Sequence, residues 1–533
     1  MSAATDLVRT YHEQTKHGGG SGRDRSRLRP FRPLDPATRP APFKRYPQGS
    51  LVPLPTDVGA STVPAAAVLS GLASVAEPEL DDRLLARLLH HSVGVTRASS
   101  SAEGQTWFRA SMSAGNLHPV EVYVVCDDLG DLPAGVHHVA PLELGLTQLR
   151  EGDWRAALAE ATAMPELAEA PAALVLTGIP WRTAWKYGER GLRHLYWDAG
   201  AVLANLLAVA EAAGLPARVL TGFVDADVAH LVGVVPPVEV PLAVVALGSS
   251  RRRAPGGGAG TSRPVDLRPE PLPAGAVELP LLVETQAAGD LATPAEVARW
   301  REVAAEQPTH ETSRMLALPS TSSEEAIEDV ILRRGSTRLM HREPVPNEVL
   351  SWALAVASRP PPLDGRPPGR TVLQHGVSVH AVDGMASGTY RGHGGHLELV
   401  RPGDEGDQRD EASHLCLDQP LGGDAAYTVF HLAELSPLLE VAGARGYRVA
   451  QLEAGVAAGR LALTSFALGA GATGLTFYDD EVSAFFETTA AALLVTAVGP
   501  PAYRSKAGGP PGHITELRSF DRLMLRLSSQ LHK

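Results

Sequence analysis

The chain has 533 residues, 44% apolar and 20% charged, with a formal net charge of −12; that length suggests three or four domains with sizeable buried cores. The acidic balance, with no Lys/Arg block longer than the RRR at 251–253, argues against a nucleic-acid or anionic-membrane surface. Cys126 and Cys416 lie in different halves and in no CxxC, and there is no apolar signal core or run of 18 apolar residues; a reducing cytoplasm is the expected setting, with no zinc site and no membrane span.

Residues 1–80 form an N-terminal segment expected to be partly disordered, because 17–60 is rich in Gly, Pro and Arg. A first unit, 81–250, follows. DDRLLARLLHHSVGV starts helical, VEVYVV is an alternating strand, GLRHLYWDAGAVLANLLAVAEAAG is a long apolar helix and PLAVVALG is a buried strand. Residues 251–322 read as a Gly/Pro-rich linker and connecting segment. In 323–508 the same order returns: EEAIEDVILRRGSTR (helix), VSVHAV (strand), GYRVAQLEAGVAAGRLALTSFALGAG (long helix) and ALLVTAVG (strand). In the tail, 509–533, Ile514, Leu517, Phe520, Met524, Leu527 and Leu531 recur three or four apart, which predicts an amphipathic helix docked on the body.

The two passes are an internal repeat. At an offset of 255, Gly191, Arg193, Ala199, Gly200, Leu206, Ala212 and Gly214 match Gly446, Arg448, Ala454, Gly455, Leu461, Ala467 and Gly469 without a gap. Units of about 180 residues are too large for a solenoid, so two fused domains packed as an intramolecular pseudo-dimer are expected.

GAGATG (469–474) has the nucleotide-fingerprint spacing but follows a helix instead of a strand; its glycines are read as ending that helix and letting backbone approach a flat ligand. GGGAGTS (256–262) lacks the lysine of a phosphate loop. RRGSTR (333–338) alternates basic and hydroxyl side chains suited to phosphate oxygens, and Arg504, Ser505 and Lys506 follow the last strand of the same repeat. A solvated basic turn is the plain alternative. SAGNLHP (113–119) is small enough for backbone to lie on an aromatic ring system, with Asn116 able to bond a ring's polar edge; a simple turn into a strand is the alternative. WKYGERGLR places Lys186 and Tyr187 at the mouth of the long helix, where either could transfer a proton if burial or a neighbouring charge tunes its pKa; taken alone, the stretch reads more simply as a surface helix start. His90, His91, His393 and His396 lack metal-ligand register and are read as loop or surface residues, and no hydrolase arrangement is present.

As an ordered set, YHEQTKH (11–17), LLHHSVGVTR (88–97), SAGNLHPVEVYVV, WKYGERGLRHLYWDAG, GLPARVLTGF, RRGSTR, GAGATGLTFYDDEV and VTAVGP resemble the FMN-dependent nitroreductase superfamily. Within it they resemble the azoline dehydrogenases of ribosomal-peptide biosynthesis, the SagB and McbC type. The resemblance implies an α+β fold, here duplicated in one chain, with long central helices and flavin in the interface. By position, Arg334, Ser336, Arg338, Arg504 and Lys506 would hold the FMN phosphate and ribityl chain. Thr473, Gly474 and Leu475 would lie along the isoalloxazine, and Ser111, Ser113, Gly115, Asn116 and Leu117 would come across from the first repeat. Lys186 and Tyr187 match the family's catalytic Lys-Tyr pair, whereas the second repeat has Val441 and Ala442 there.

Each repeat has lost a different half of the site. The first has HHS in place of the basic turn, with Arg97 as the nearby arginine, and the second has RPPGRTVLQHGVSV in place of the small-residue turn. One FMN per chain is therefore expected. The implied reaction is oxidation of a thiazoline or oxazoline in a precursor peptide to the azole, beside a cyclodehydratase. Nitro or ene reduction with NAD(P)H, and a flavin-free peptide-binding scaffold, are the competing readings.

Overall fold

The computed structural model describes residues 3–18, 34–101, 104–249, 265–273, 279–312, 316–321, 323–393 and 396–518. Its first sheet carries, from edge to edge, Leu51–Pro53, Gly145–Glu151, Gly135–Ala140, Val120–Cys126, Ala172–Gly178, Val240–Leu247 and Ala217–Leu220. Its second carries His396–Pro402, Gly388–His393, Gln374–Val379, Tyr427–Ala433, Ala491–Gly499 and Gly471–Leu475. Leaving aside the extra edge strand Leu51–Pro53, the two orders are the same, and all the pairings are antiparallel. The chain is thus a duplicated nitroreductase-like α+β fold, as the sequence repeat implies.

Val120–Cys126 is buried at every residue, so its alternation separates two covered faces. The polar positions are satisfied inside: Glu121 accepts from His138 Nε2 at 2.9 Å and pairs with Arg182, and the Tyr123 hydroxyl donates to Glu239 at 2.8 Å.

Between the sheets run two central helices, Gly191–Ala212 and Leu435–Ala467. The second is interrupted at Gly443 (φ 62°, ψ −163°), and the first is preceded by Gly188 (φ 56°, ψ −141°), 255 residues earlier. That backbone region is open essentially to glycine alone. It ends the short helix Pro180–Tyr187 before the central helix begins, so Lys186 and Tyr187 close the short helix instead of opening the long one.

The central helices cross at Gly200 and Gly455, members of the matched set. A β-carbon on Gly200 would sit 2.3 Å from the Leu452 carbonyl oxygen, and one on Gly455 2.4 Å from that of Trp197. Without side chains at the crossing, backbone meets backbone. Two ion clusters flank it with the same pseudo-two-fold relation. Asp479 of the second repeat pairs with Arg190 (2.9 Å) and Arg193 (2.7 Å) of the first, and Asp225 of the first with Arg445 (2.7 Å) and Arg448 (3.2 Å) of the second.

An arm of chain seals each cluster. The helix Ala3–Gln14 leads to His17, whose amide donates to Asp479 at 2.9 Å, while Arg193 Nη2 donates to the His12 carbonyl at 2.7 Å. The helix Pro280–Ala287 leads to Leu291, whose amide donates to Asp225 at 2.9 Å. YHEQTKH and part of the segment read as connecting are therefore matching arms. The connecting segment also holds the helix Pro294–Ala304, started by the Thr293 side chain accepting from the Glu296 amide.

Two expectations need correction. Thr515–Leu517 is not helical but a strand lying parallel to Val95–Ser101, with Gly104–Arg109 as the third member of that sheet. The open edge of Val95–Ser101 takes the backbone that follows Pro510, Pro511 and Gly512; the rest of the predicted tail helix, from 519, lies outside the described residues. His90 and His91 are not surface residues: both are buried on the helix Asp82–Val93, and burial lowers the pKa of each to about 4. Both cysteines are buried and free. No helix among the described residues is long and apolar enough to cross a membrane, and no cluster of metal-ligating side chains occurs among them.

Candidate functional site

The SAGNLHP turn is tight because Gly115 (φ 63°), Asn116 (φ 58°) and His118 (φ 45°) all take left-handed conformations. Asp198, on the first central helix, anchors it: its carboxylate accepts from the Ala114 amide at 2.9 Å and from the Ser113 hydroxyl, which in turn accepts from the His118 amide at 2.8 Å. Asn116 does not face outward as expected. Its amide donates to the Trp107 carbonyl at 2.9 Å and its side-chain oxygen meets His118 Nε2 at 2.8 Å, so it builds the turn. Ser111 and Leu117 are buried beneath it. What the turn presents is the exposed backbone at Gly115.

Lys186 and Tyr187 lie against that backbone. A β-carbon on Gly115 would come within 2.9 Å of the Tyr187 hydroxyl and 3.2 Å of Lys186 Nζ. Tyr187 stacks on His194 with ring centroids 3.8 Å apart and planes 9° from parallel, and Lys186 Nζ is 5.4 Å from the Tyr187 ring centroid. Burial lowers the Lys186 pKa, and the Arg338 cation from the other repeat lowers it further. Tyr187 moves the opposite way: burial and the Asp198 carboxylate raise its pKa above the ordinary phenol value, with Arg338 in opposition. The two neighbours are thereby driven toward a neutral amine and a protonated phenol.

The basic turn of the second repeat meets this group from across the interface. Arg334 is buried and donates to the Ala110 carbonyl at 2.7 Å, directly before Ser111. The half-buried Ser336 and exposed Arg338 are braced by Tyr503: its hydroxyl accepts from the Arg338 amide at 3.1 Å and donates to the Ser336 carbonyl at 3.4 Å. Arg504 and Lys506 are exposed just beyond it. The Thr337 amide donates to the Ala472 carbonyl at 3.0 Å, which ties the turn to Gly471–Leu475; along that strand Thr473 is buried, Gly474 exposed and Leu475 half-buried. Lys186, Tyr187 and the SAGNLHP turn thus share one place with the basic turn.

Arg97 plays a different part from a phosphate ligand. Its guanidinium donates to the carbonyls of Lys506 (2.8 Å), Arg334 (3.1 Å) and Leu332, all in the other repeat, so it holds the basic turn in position. Sequence reading also missed Asp198 and His194. The offset of 255 carries a trace of the first, since Asp198 falls on Glu453.

These residues fit an FMN. Arg334 Nε is buried without a partner, and burial beside the Arg97 cation pushes the Arg334 pKa down to about 9, a cation that an anion would relieve. Among the described residues no carboxylate pairs with Arg334, Arg338, Arg504 or Lys506. Phosphate would suit Arg334, Ser336, Arg338, Arg504 and Lys506, and a flat ring the glycine backbone at Gly115 and Gly474.

The pseudo-equivalent place is filled by the chain itself. Residues 362–364 pair with Val219, and Asp364 accepts from the amides of Thr221 (2.6 Å) and Gly222 (3.1 Å). Trp300 lies over Gly222 and Gly365 and donates from its indole to the carbonyl of Ala442, the counterpart of Tyr187, at 3.0 Å. Arg366 pairs with Glu453, the counterpart of Asp198.

Residues 75–249 match the model of the nitroreductase family. A curated protein of Methanocaldococcus jannaschii that carries the nitroreductase name is 26% identical over 167 residues, 31% of this chain and 79% of that protein. The crystal structure of a nitroreductase-like protein from Anabaena variabilis superposes with a TM-score of 0.72 at 25% identity, covering 93% of this chain and 99% of its own. A chain of the Escherichia coli microcin synthetase McbBCD complex, solved with truncated pro-MccB17 bound, matches 47% of this chain and 94% of its own at 20% identity, but its TM-score of 0.29 is too low to bear on chemistry. Residues 75–249 therefore form a nitroreductase-family domain, in a family of flavin oxidoreductases, within a chain that folds as two nitroreductase-like units.

Proposed function

We propose that this protein is an FMN-dependent dehydrogenase that oxidises thiazoline or oxazoline rings of a ribosomally made peptide to thiazoles or oxazoles, taking its substrate from a cyclodehydratase. The observation that carries this reading is the Lys186–Tyr187 pair lodged against Gly115 under the influence of the Arg338 cation, in the one of two pseudo-equivalent places that the described residues do not fill. Aromatising an azoline removes a proton and a hydride from adjacent ring atoms. FMN, when bound, would take the hydride and later pass the two electrons to oxygen. The proton falls to the chain. Lys186 Nζ, biased toward the neutral amine, is suited to receive it, and the Tyr187 hydroxyl, held protonated, is suited to donate a hydrogen bond to the ring heteroatom or its neighbouring carbonyl. The backbone at Gly115 and the stacked His194 fix both side chains before substrate arrives.

The purified chain is expected to show flavin absorbance, or to gain it on addition of FMN; a chain that never takes up flavin would sink the reading. Lys186→Ala and Tyr187→Phe should retain flavin and lose azole formation by roughly 10²–10⁴-fold. Because the active form of Lys186 is the neutral amine and its pKa is lowered, wild-type turnover should rise with pH on a limb below the ordinary lysine value, and that limb should vanish in Lys186→Ala. Unchanged turnover in both variants would remove the pair from the mechanism.

A further inference from the structure

We propose that Asp198 is the positioning residue of this site, a buried carboxylate that holds the SAGNLHP turn closed beside the His194–Tyr187 stack. The inference rests on the flavin reading above. Asp198 lies on the first central helix, one turn beyond His194, so the two side chains share the helix face directed at the site. His194 stacks on the Tyr187 ring, while Asp198 takes the Ala114 amide and the Ser113 hydroxyl. Three left-handed residues within 115–118 make this turn costly to maintain, and the two hydrogen bonds to Asp198 fix its entry. Gly115, the residue that meets both Lys186 and Tyr187, is next along the chain.

The second repeat supplies an independent comparison. Its counterpart, Glu453, accepts from the Thr371 hydroxyl and pairs with Arg366, so in that repeat the same helix position anchors residues that fill the site. In both repeats a carboxylate at this place organises the segment facing it. Only in the first does that segment leave a cradle.

Ser113 and Ala114 bond Asp198 and the Arg109 cation acts on it; Lys186 and His194 touch the Tyr187 ring, and the charges of Arg338 and Asp198 act on Tyr187 from further off. Burial raises Asp198 to about 7, against the pull of Ser113, Ala114 and Arg109. Removing its negative charge should ease ionisation of Tyr187, whereas removing its acceptor atoms should loosen the turn. Asp198→Asn and Asp198→Ala separate these effects.

FMN affinity is read by quenching of flavin fluorescence, and Tyr187 ionisation by difference absorbance against the Tyr187→Phe background. Asp198→Ala should weaken FMN binding at least tenfold. Asp198→Asn, which can still accept from Ala114, should bind within about threefold of wild type yet ionise Tyr187 at lower pH. Wild-type FMN affinity in Asp198→Ala, or an unmoved Tyr187 titration in Asp198→Asn, would overturn the proposal. A wild-type protein that binds no FMN would instead overturn the flavin reading, so the two failures are distinct.

Discussion

Replacing Asp479 with alanine is expected to destabilise the folded chain by about 3–5 kcal/mol, the usual cost of removing one member of a buried ion cluster. Asp479 is 2% exposed and accepts from Arg190, Arg193 and the His17 amide, so the variant leaves two buried guanidinium groups without their anion and frees the N-terminal arm at once. Arg190 also lies over the Phe477 ring at 5.1 Å, a contact that does not replace the lost charge. Burial alone would raise the Asp479 carboxyl, but Arg190 and Arg193 outweigh it and hold the pKa well below the ordinary carboxylate range. A depressed folded-state pKa means the stabilisation is complete above the unfolded value, about 4, and is lost as pH falls toward the folded value. The gap between wild type and Asp479→Ala in denaturant unfolding should therefore be full at pH 7 and narrow below pH 4. The pseudo-symmetric Asp225→Ala should act in the same direction but cost less, since Arg445 and Arg448 stand where Arg190 and Arg193 do but Arg448 keeps Asp290 at 2.6 Å. A loss under about 1 kcal/mol in both would mean that the clusters are not what joins the repeats.

The duplication was legible because it survives in residues whose job is geometric. Gly200 and Gly455 match by offset since each must let the other helix approach, and Arg193 and Arg448 match since each holds an aspartate of the opposite repeat. The two halves of the candidate site were legible as motifs because each is contiguous in sequence. Their meeting was not derivable from spacing: Arg334 reaches Ala110 across 224 residues, and the interface alone brings them together. The arms were hidden for another reason. Ala3–Gln14 and Pro280–Ala287 share a role but little sequence, because what they supply to the aspartates is largely backbone amide and carbonyl, which any residue carries. The tail misled through periodicity: apolar spacing from Ile514 onward suits a helix, but the open edge of Val95–Ser101 decides the start of that segment.

One FMN per chain is the second large expectation, and it should persist when the filling of the other place is removed. The absorbance ratio of flavin to protein is expected to approach one in the wild type and to stay there in Trp300→Ala. Emptying the indole from above Gly222 and Gly365 opens space beside Ala442 but restores nothing that binds. Asp364 still occupies the Thr221 and Gly222 amides, an acid where a flavin edge would need donors, and Arg366 stays paired with Glu453. The first repeat has no basic turn to offer a phosphate, since Arg97 is committed to three carbonyls. Arg334→Ala is the contrasting variant: it removes a buried cation from the open place and should raise the FMN dissociation constant at least tenfold, about 1.4 kcal/mol. A ratio near two in the wild type would show that both interfaces bind flavin despite the filling. A rise to two in Trp300→Ala would show that the indole alone had kept the second one shut.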